Sequence, residues 1–177
     1  VQRFDREVGR VLEELGRTGE LENTIVVVTS DNGMPFPRCK ATLYDLGTRV
    51  PLAIRWGGKV EGGRVLSDFV NLCDLAPSLL EAAGIPIPDG VTGSSLLPIL
   101  FSEHRGQADP TRTHCLFGME RHVYPYPSRA LRNAEYLYVR NFAPEDWASG
   151  EIEGKEPRYD LRPGPRVRRT PAHCSFP

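Results

Sequence analysis

Apolar residues recur at helical spacing over the first part of the chain, and an unbroken β-branched run follows them. The members of the helical stripe are Phe4, Val8, Val11, Leu12 and Leu15. Charged residues lie between them, so the pattern predicts an amphipathic helix that packs on a sheet and ends at Gly16 or Gly19. The run from Ile25 to Val28 shows no alternation, which is typical of a strand buried on both faces in a parallel sheet. This order of elements favours an α/β fold.

Three later segments also have the patterns of regular structure. Residues 50–56 predict a strand, with Pro51 at its start, where a missing N–H is tolerated. Residues 75–83 carry an apolar helical stripe, for which Asp74 is the predicted N-cap and Gly84 the stop. Residues 93–100 are expected to form a loop and a short helical turn.

The second half of the chain predicts a smaller subdomain and a tail. Residues 102–112 are polar and mark the boundary, so we expect domains at 1–102 and 103–150. Strands are predicted at 114–119, 128–131 and 135–141, with antiparallel pairing because their connections are short, and 121–127 is expected to be a loop. Arginine and proline dominate 151–177, so we expect a flexible tail there.

The composition excludes some classes of partner. The net charge of the 177 residues is -1, which gives no general electrostatic reason to expect nucleic acid or a membrane surface. No apolar run approaches the roughly 20 residues that a membrane-spanning helix needs. The four cysteines lack Cys-x-x-Cys spacing and neither establish nor exclude disulfides.

Candidate chemistry lies where the β-branched run ends. Asp31 and Asn32 follow it directly, and ligands of open α/β sheets bind at the carboxyl ends of strands. A carboxylate and an amide carbonyl are hard donors suited to calcium or magnesium, which need about six or more ligands, so the others must come from elsewhere. The alternative is a simple tight turn, since Asn-Gly is a strong turn dipeptide.

These residues belong to a set of blocks that resembles the later part of the sulfatase family, most closely its sulfamidase-like (heparan N-sulfatase) branch and related bacterial sulfatases. The stronger blocks are Thr29-Ser30-Asp31-Asn32-Gly33, Pro35-Phe36-Pro37, Lys40, Leu43-Tyr44, Gly47, Arg49-Val50-Pro51-Leu52, Asp74 to Leu80, Ala83 to Pro86 and Gly93 to Pro98. Weaker blocks are Tyr124-Pro125, Arg129-Ala130 and Tyr136 to Arg140. The resemblance covers residues 1–150 and is more specific than a single turn motif.

The resemblance implies a fold and a set of site residues. The fold is α/β, an alkaline-phosphatase-like (sulfatase) core that is incomplete here, with a small antiparallel C-terminal subdomain. Asp31 and Asn32 would bind a divalent cation, most often calcium in this family, and Lys40 would be a catalytic residue that contacts the sulfate group and stabilises developing charge. His122 is a candidate substrate contact. The plainer alternatives are a solvated lysine and a surface or packing histidine.

One departure from the family pattern is severe. The family nucleophile is a formylglycine made from the first residue of the pattern Cys-or-Ser, any, Pro, any, Arg, and no cysteine or serine here begins it. The family's pair of aspartates that completes the metal site is also not found. We therefore expect the C-terminal part of a sulfatase, unable by itself to turn over substrate.

The implied function is hydrolysis of sulfate esters or N-sulfates, with a sulfated small molecule or glycan as partner. One alternative is a phosphodiesterase or phosphonate hydrolase of the same superfamily, because sulfate and phosphate sites use similar groups. Another is a non-catalytic chain that binds a partner or an anionic glycan. The family suggests a periplasmic, secreted or lysosomal compartment, and the sequence alone does not set the compartment or the sulfated substrate.

Overall fold

A computed structural model describes residues 1–122, 125–144 and 172–173. The chain divides into two compact units, one of Val1–Thr29 with Pro51–Pro110 and the other of Ser30–Val50 with Thr111–Pro177. Each unit is thus built from two segments that are separated in sequence. The domain bounds expected from the polar boundary stay a prediction.

The first unit begins with the predicted helix and strand. Helix α1 spans Gln2–Arg17, a 3-10 turn spans Leu21–Asn23, and strand β1 spans Ile25–Thr29. Gly19 follows the helix with a φ of 76°, a left-handed conformation that glycine adopts without strain. Gly16 lies inside the helix. No residue of α1 is fully buried, so the expected close packing of this helix on a sheet is not seen among the described residues.

Strand β1 pairs with β2, Leu52–Trp56, in antiparallel register from Ile25 opposite Trp56 to Thr29 opposite Leu52. The parallel sheet expected from the apolar run was therefore wrong for this pair. The residues of β1 are half-buried rather than fully buried. An unbroken apolar run shows that both faces of a strand are apolar, but it carries no information on the direction of the neighbouring strand.

Helix α3, Leu75–Ala82, continues a 3-10 turn that spans Leu72–Asp74. Asp74 holds the predicted N-cap position of α3, but its side chain makes no cap hydrogen bond to that helix. Instead Asn71 caps the 3-10 turn, and the Asp74 Oδ2 accepts the Asn71 N–H at 3.0 Å in a capping box. Gly84, with a φ of 68°, follows the helix as expected. Partial burial, and then the Asp74 carboxylate, raise the pKa of the neighbouring Cys73 thiol.

The apolar interior of this unit lies between the β1–β2 pair, α3 and a short helix, α4, at Leu97–Leu100. This short helix confirms the predicted turn. Its anchor is Leu96, which is fully buried and whose N–H donates to the Ser78 hydroxyl at 2.7 Å. Trp56 is buried and lies with its ring centroid 5.8 Å from that of Phe101.

The second unit contains an antiparallel sheet in the order β3-β4-β5-β6. Its strands are β3 His114–Arg121, β4 Pro125–Asn133, β5 Tyr136–Asn141 and β6 Ala172–His173. Helix α2, Asp45–Thr48, lies in the other segment of this unit. The three predicted strands are confirmed: the first two are longer than predicted and the third is one residue shorter. Asn133 Oδ1 closes the turn between β4 and β5 by accepting the N–H groups of Glu135 and Tyr136.

The loop predicted at 121–127 was partly wrong. Arg121 ends β3 and Pro125 begins β4, and the register of the pair shifts between Met119 and Arg121. Such irregularities are typical where a paired strand contains proline. Residues 123–124 lie outside the described residues. So does the expected tail at 151–177, apart from Ala172–His173. Among the helices that the structure describes, none combines the length and apolarity needed to cross a membrane.

Candidate functional site

Asp31 and Asn32 lie in a turn directly after β1. The Ser30 hydroxyl donates to the Asn32 carbonyl at 3.0 Å and fixes this turn. Asp31 is exposed and Asn32 is half-buried. Within the ranges the structure describes, neither side chain makes a hydrogen bond or ion pair to another residue. The turn therefore leaves a carboxylate and an amide oxygen open to a ligand.

The backbone at Gly33 passes in close contact with the backbone at Gly47, and this glycine crossing holds the turn. The Gly33 N–H donates to the Gly47 carbonyl at 3.1 Å. A Cβ on Gly33 would collide with the carbonyl oxygen of Leu46, and one on Gly47 would collide with the carbonyls of Cys39 and Thr42. Because these neighbours are backbone atoms that cannot swing aside, the close approach requires glycine at both positions.

Lys40 belongs to a loop that folds back on the same crossing. Its N–H donates to the Met34 carbonyl at 2.9 Å, and the neighbouring Cys39 is buried, with 3% of its surface exposed. Arg38 and Ala41 have φ values of 63° and 62°, in the left-handed region that residues with a Cβ rarely adopt. Such strain persists only where the surroundings impose it, and it is common at functional sites.

The side chain of Lys40 is available for a ligand. The residue is half-buried, and its ammonium makes no hydrogen bond or ion pair with any residue in the described parts of the chain. Arg49, whose position after the loop suggested either a substrate contact or a core ion pair, is exposed and likewise makes no ion pair within those ranges.

Helix α2 connects this loop to the sheet of the second unit. Asp45, its first residue, receives a forked contact from Arg132 on β4: Nε lies 3.1 Å from Oδ1 and Nη2 lies 3.4 Å from Oδ2. Each side chain is only 19% exposed. Sequence reasoning missed both residues, because they are 87 positions apart and no local pattern connects them.

His122 follows β3 in the second unit and is half-buried, with its Nδ1 buried. It comes from the irregular end of the β3–β4 pair, whereas Asp31, Asn32 and Lys40 come from the single segment 30–50. Its role as a substrate contact stays a prediction.

The oxygen donors of Asp31 and Asn32 suit a hard divalent cation and could form part of the ligand set of such an ion. Asp31 and Asn32 offer oxygen ligands, and calcium takes roughly six to eight of them. No group of three or more His, Cys, Asp or Glu side chains elsewhere in the described ranges could complete such a site. Asp31 and Asn32 would therefore be only part of such a ligand set.

The model of the sulfatase family matches residues 1–85, the stretch that contains the Asp31–Asn32 turn, the Lys40 loop and the glycine crossing. The chain belongs to the sulfatase family. The sequence-based resemblance is thus confirmed. The close contact of Gly33 and Gly47 explains why this sulfatase chain has glycine at these two motif positions.

Two curated relatives place the sulfatase chain near enzymes of amino sugars. It is 36% identical over 160 aligned residues to the N-sulphoglucosamine sulphohydrolase of Homo sapiens, covering 80% of this chain and 29% of that protein. It is 34% identical over 173 residues to an N-acetylglucosamine-6-O-sulfatase of Bacteroides thetaiotaomicron, covering 92% of this chain and 29% of that protein. The chain therefore spans less than a third of the length of these relatives.

Solved structures confirm the fold. A structure in complex with its substrate D-glucosamine-2-N,6-O-disulfate matches with a TM-score of 0.69 and 27% identity, over 76% of this chain and 28% of that one. A phosphonate monoester hydrolase from Silicibacter pomeroyi matches with a TM-score of 0.65 and 27% identity, over 77% and 30%. The sulfatase chain has part of an alkaline-phosphatase-like α/β fold, with an antiparallel sheet in its C-terminal half.

Proposed function

We propose that residues 30–50 supply part of the metal-binding and sulfate-binding site of an enzyme that hydrolyses sulfate esters or N-sulfates. The observation that carries this proposal is the open carboxylate and amide pair of Asp31 and Asn32, held by the glycine crossing beside the Lys40 loop. Side chains that are fixed in place yet uncommitted to internal partners are what a ligand site requires.

Each residue has a distinct role in this proposal. Asp31 and Asn32 hold a divalent cation, since both offer hard oxygen donors that suit calcium or magnesium, and the resemblance to the family favours calcium. Such an ion supplies Lewis-acid stabilisation of sulfate oxygens when bound. Lys40 places its ammonium against the sulfate group and offsets the charge that develops as the S–O or S–N bond breaks. His122 orients the substrate beyond the sulfate. The nucleophile, a formylglycine, comes from outside these residues.

The substrate class follows from the relatives' names. Both curated relatives are named for sulfated or acetylated glucosamine, and one structural neighbour was solved with a glucosamine disulfate. We propose a sulfated amino sugar or glycan for this protein. An enzyme of such glycans would work in a periplasmic, secreted or lysosomal compartment.

A phosphonate monoester hydrolase is the second candidate. The observation that favours it is the TM-score of 0.65 to an enzyme of that name. Sulfate and phosphonate monoesters both present tetrahedral anionic oxygens, so a hard cation and a lysine serve either one.

Calcium binding by calorimetry tests the metal assignment. The measurement uses this chain and, in parallel, the natural protein that carries these residues together with the family's nucleophile motif (the extended protein). We expect Asp31→Ala and Asn32→Ala to weaken calcium binding at least tenfold, because each removes a ligand. Asp5→Ala is the matched control, since Asp5 is an exposed carboxylate on α1.

Sulfate release by the extended protein tests the role of Lys40. We expect Lys40→Ala to leave calcium affinity within about twofold but to lower kcat by roughly 100-fold, the usual effect of losing one group that stabilises transition-state charge.

Unchanged calcium binding in both Asp31 and Asn32 variants would remove the metal assignment. Faster turnover of a phosphonate monoester than of sulfated glucosamine would favour the second candidate.

A further inference from the structure

The forked contact between Arg132 and Asp45 differs from an ordinary surface ion pair. Both side chains are 19% exposed, and Arg132 also donates to the backbone carbonyls of Asn133 and Tyr136. The β4–β5 turn therefore holds the guanidinium in place independently of its contact with Asp45. A preorganised fork of this kind defines the orientation of its carboxylate partner, whereas a lysine ammonium would supply charge without a direction.

Helix α2, which begins at Asp45, contacts both halves of the proposed site through one residue. The Gly47 carbonyl accepts the N–H of Gly33, next to Asn32. On its other side Gly47 lies against the carbonyls of Cys39 and Thr42, which flank Lys40. A shift of α2 would therefore move the proposed metal ligands and the proposed sulfate ligand together.

We propose that Arg132 is a positioning residue of the proposed site: its fork on Asp45 fixes α2, and Gly47 of α2 holds the Asp31–Asn32 turn and the Lys40 loop in register. This inference rests on the proposed function and extends it to two residues that touch neither metal nor sulfate.

Amide hydrogen exchange gives a local test. In the 177-residue chain, we expect Arg132→Lys and Asp45→Asn to speed exchange of the Gly33 and Lys40 amides at least tenfold, because both amides bond within this loop. The amides that join β3 to β4 should exchange as before. Arg129→Lys is the matched control, since Arg129 lies on the same strand and pairs with Glu120, but the two side chains are 51% and 68% exposed.

Calcium affinity and steady-state kinetics of the extended protein give the functional test. We expect Arg132→Lys to weaken calcium binding about tenfold and to raise KM for sulfated glucosamine. Asp45→Glu keeps the forked contact with Arg132, so it should retain most of the calcium affinity and leave KM close to that of the unsubstituted protein. The double variant Asp45→Asn/Arg132→Gln should be no worse than either single change, because each already breaks the same contact.

The outcomes separate this inference from the proposed function. If the unsubstituted extended protein binds no calcium, the proposed function fails. If it binds calcium and Arg132→Lys binds equally well with unchanged Gly33 exchange, only the positioning role is overturned. A loss of thermal stability in Arg132→Lys without any change in exchange, affinity or KM would also overturn it, since that result describes a purely structural ion pair.

Discussion

At the scale of single residues, the conformation of segment 30–50 requires glycine at two positions and places residues other than glycine in left-handed conformations at two others. Gly33 and Gly47 have ordinary φ values, and each is required because another backbone approaches too closely for a Cβ. Arg38 and Ala41 show the reverse, since they adopt left-handed conformations without being glycine. The loop around Lys40 thus stores strain that its surroundings must balance.

Gly47→Ala should destabilise the second unit by about 2 to 3 kcal/mol, because the new methyl group overlaps backbone carbonyls that cannot move independently. Urea denaturation monitored by fluorescence or circular dichroism measures the change. Gly9→Ala is the matched control: nothing lies within 4 Å of a Cβ at that helical position, so we expect a gain of roughly 0.5 to 1 kcal/mol. Equal effects of the two substitutions would refute the steric explanation.

At the scale of elements, Asp74 holds the predicted N-cap position of α3 but uses its carboxylate for other contacts. Asp74 has the side chain of an N-cap, and the sequence places it before an apolar stripe. In the structure a 3-10 turn extends the helix backwards to Asn71, and Asp74 becomes the partner of that cap. Its Oδ1 also accepts the N–H of Ser94 at 2.9 Å. One buried carboxylate therefore joins the helix start to a loop 20 positions later.

Asp74→Ala should lower the free energy of unfolding by about 2 kcal/mol, since it removes the capping box and leaves the Ser94 N–H without its carboxylate acceptor. Asn71→Ala should cost roughly 1 kcal/mol, the usual effect of losing a cap. Thermal denaturation measures both, with the exposed Asp89→Ala as control. A loss for Asp74→Ala no larger than that of the control would contradict the assigned role of this carboxylate.

At the scale of the whole molecule, the chain order does not follow the compact units. Residues 30–50 leave the first unit, join residues from 111 onwards, and return at Pro51. The matched family segment, residues 1–85, therefore includes parts of both units. The proposed site residues in 30–50 depend on a sheet that lies much later in the sequence.

A chain ended at Pro110 should keep the first unit and lose order in the segment 30–50, because the Arg132 contact and the sheet are then absent. Nuclear magnetic resonance with hydrogen exchange should find the β1–β2 amides protected and the Gly33 and Lys40 amides unprotected. The intact chain under the same conditions is the reference. Full protection of Gly33 in the shortened chain would mean that the glycine crossing forms without the sheet.

Local patterns in the amino-acid sequence were enough to predict the elements, the family and the proposed ligands. Helix α1, both strands of the first pair, helix α3 and the antiparallel strands were predicted from periodicity and turn residues, which act over a few positions. Asp31, Asn32 and Lys40 were found because they lie in contiguous motif blocks. Short-range patterns therefore suffice for local structure and for motif-borne chemistry.

The folded topology set the antiparallel direction of β1 and β2, the bond from the Asp74 carboxylate to the Ser94 loop, and the connection from Arg132 through Asp45 to the site. Each depends on a contact between distant positions: Thr29 with Leu52, Asp74 with Ser94, and Asp45 with Arg132. A side chain's own neighbours in sequence do not specify such a partner. The partner is set by how the chain returns, and that is a property of the folded topology.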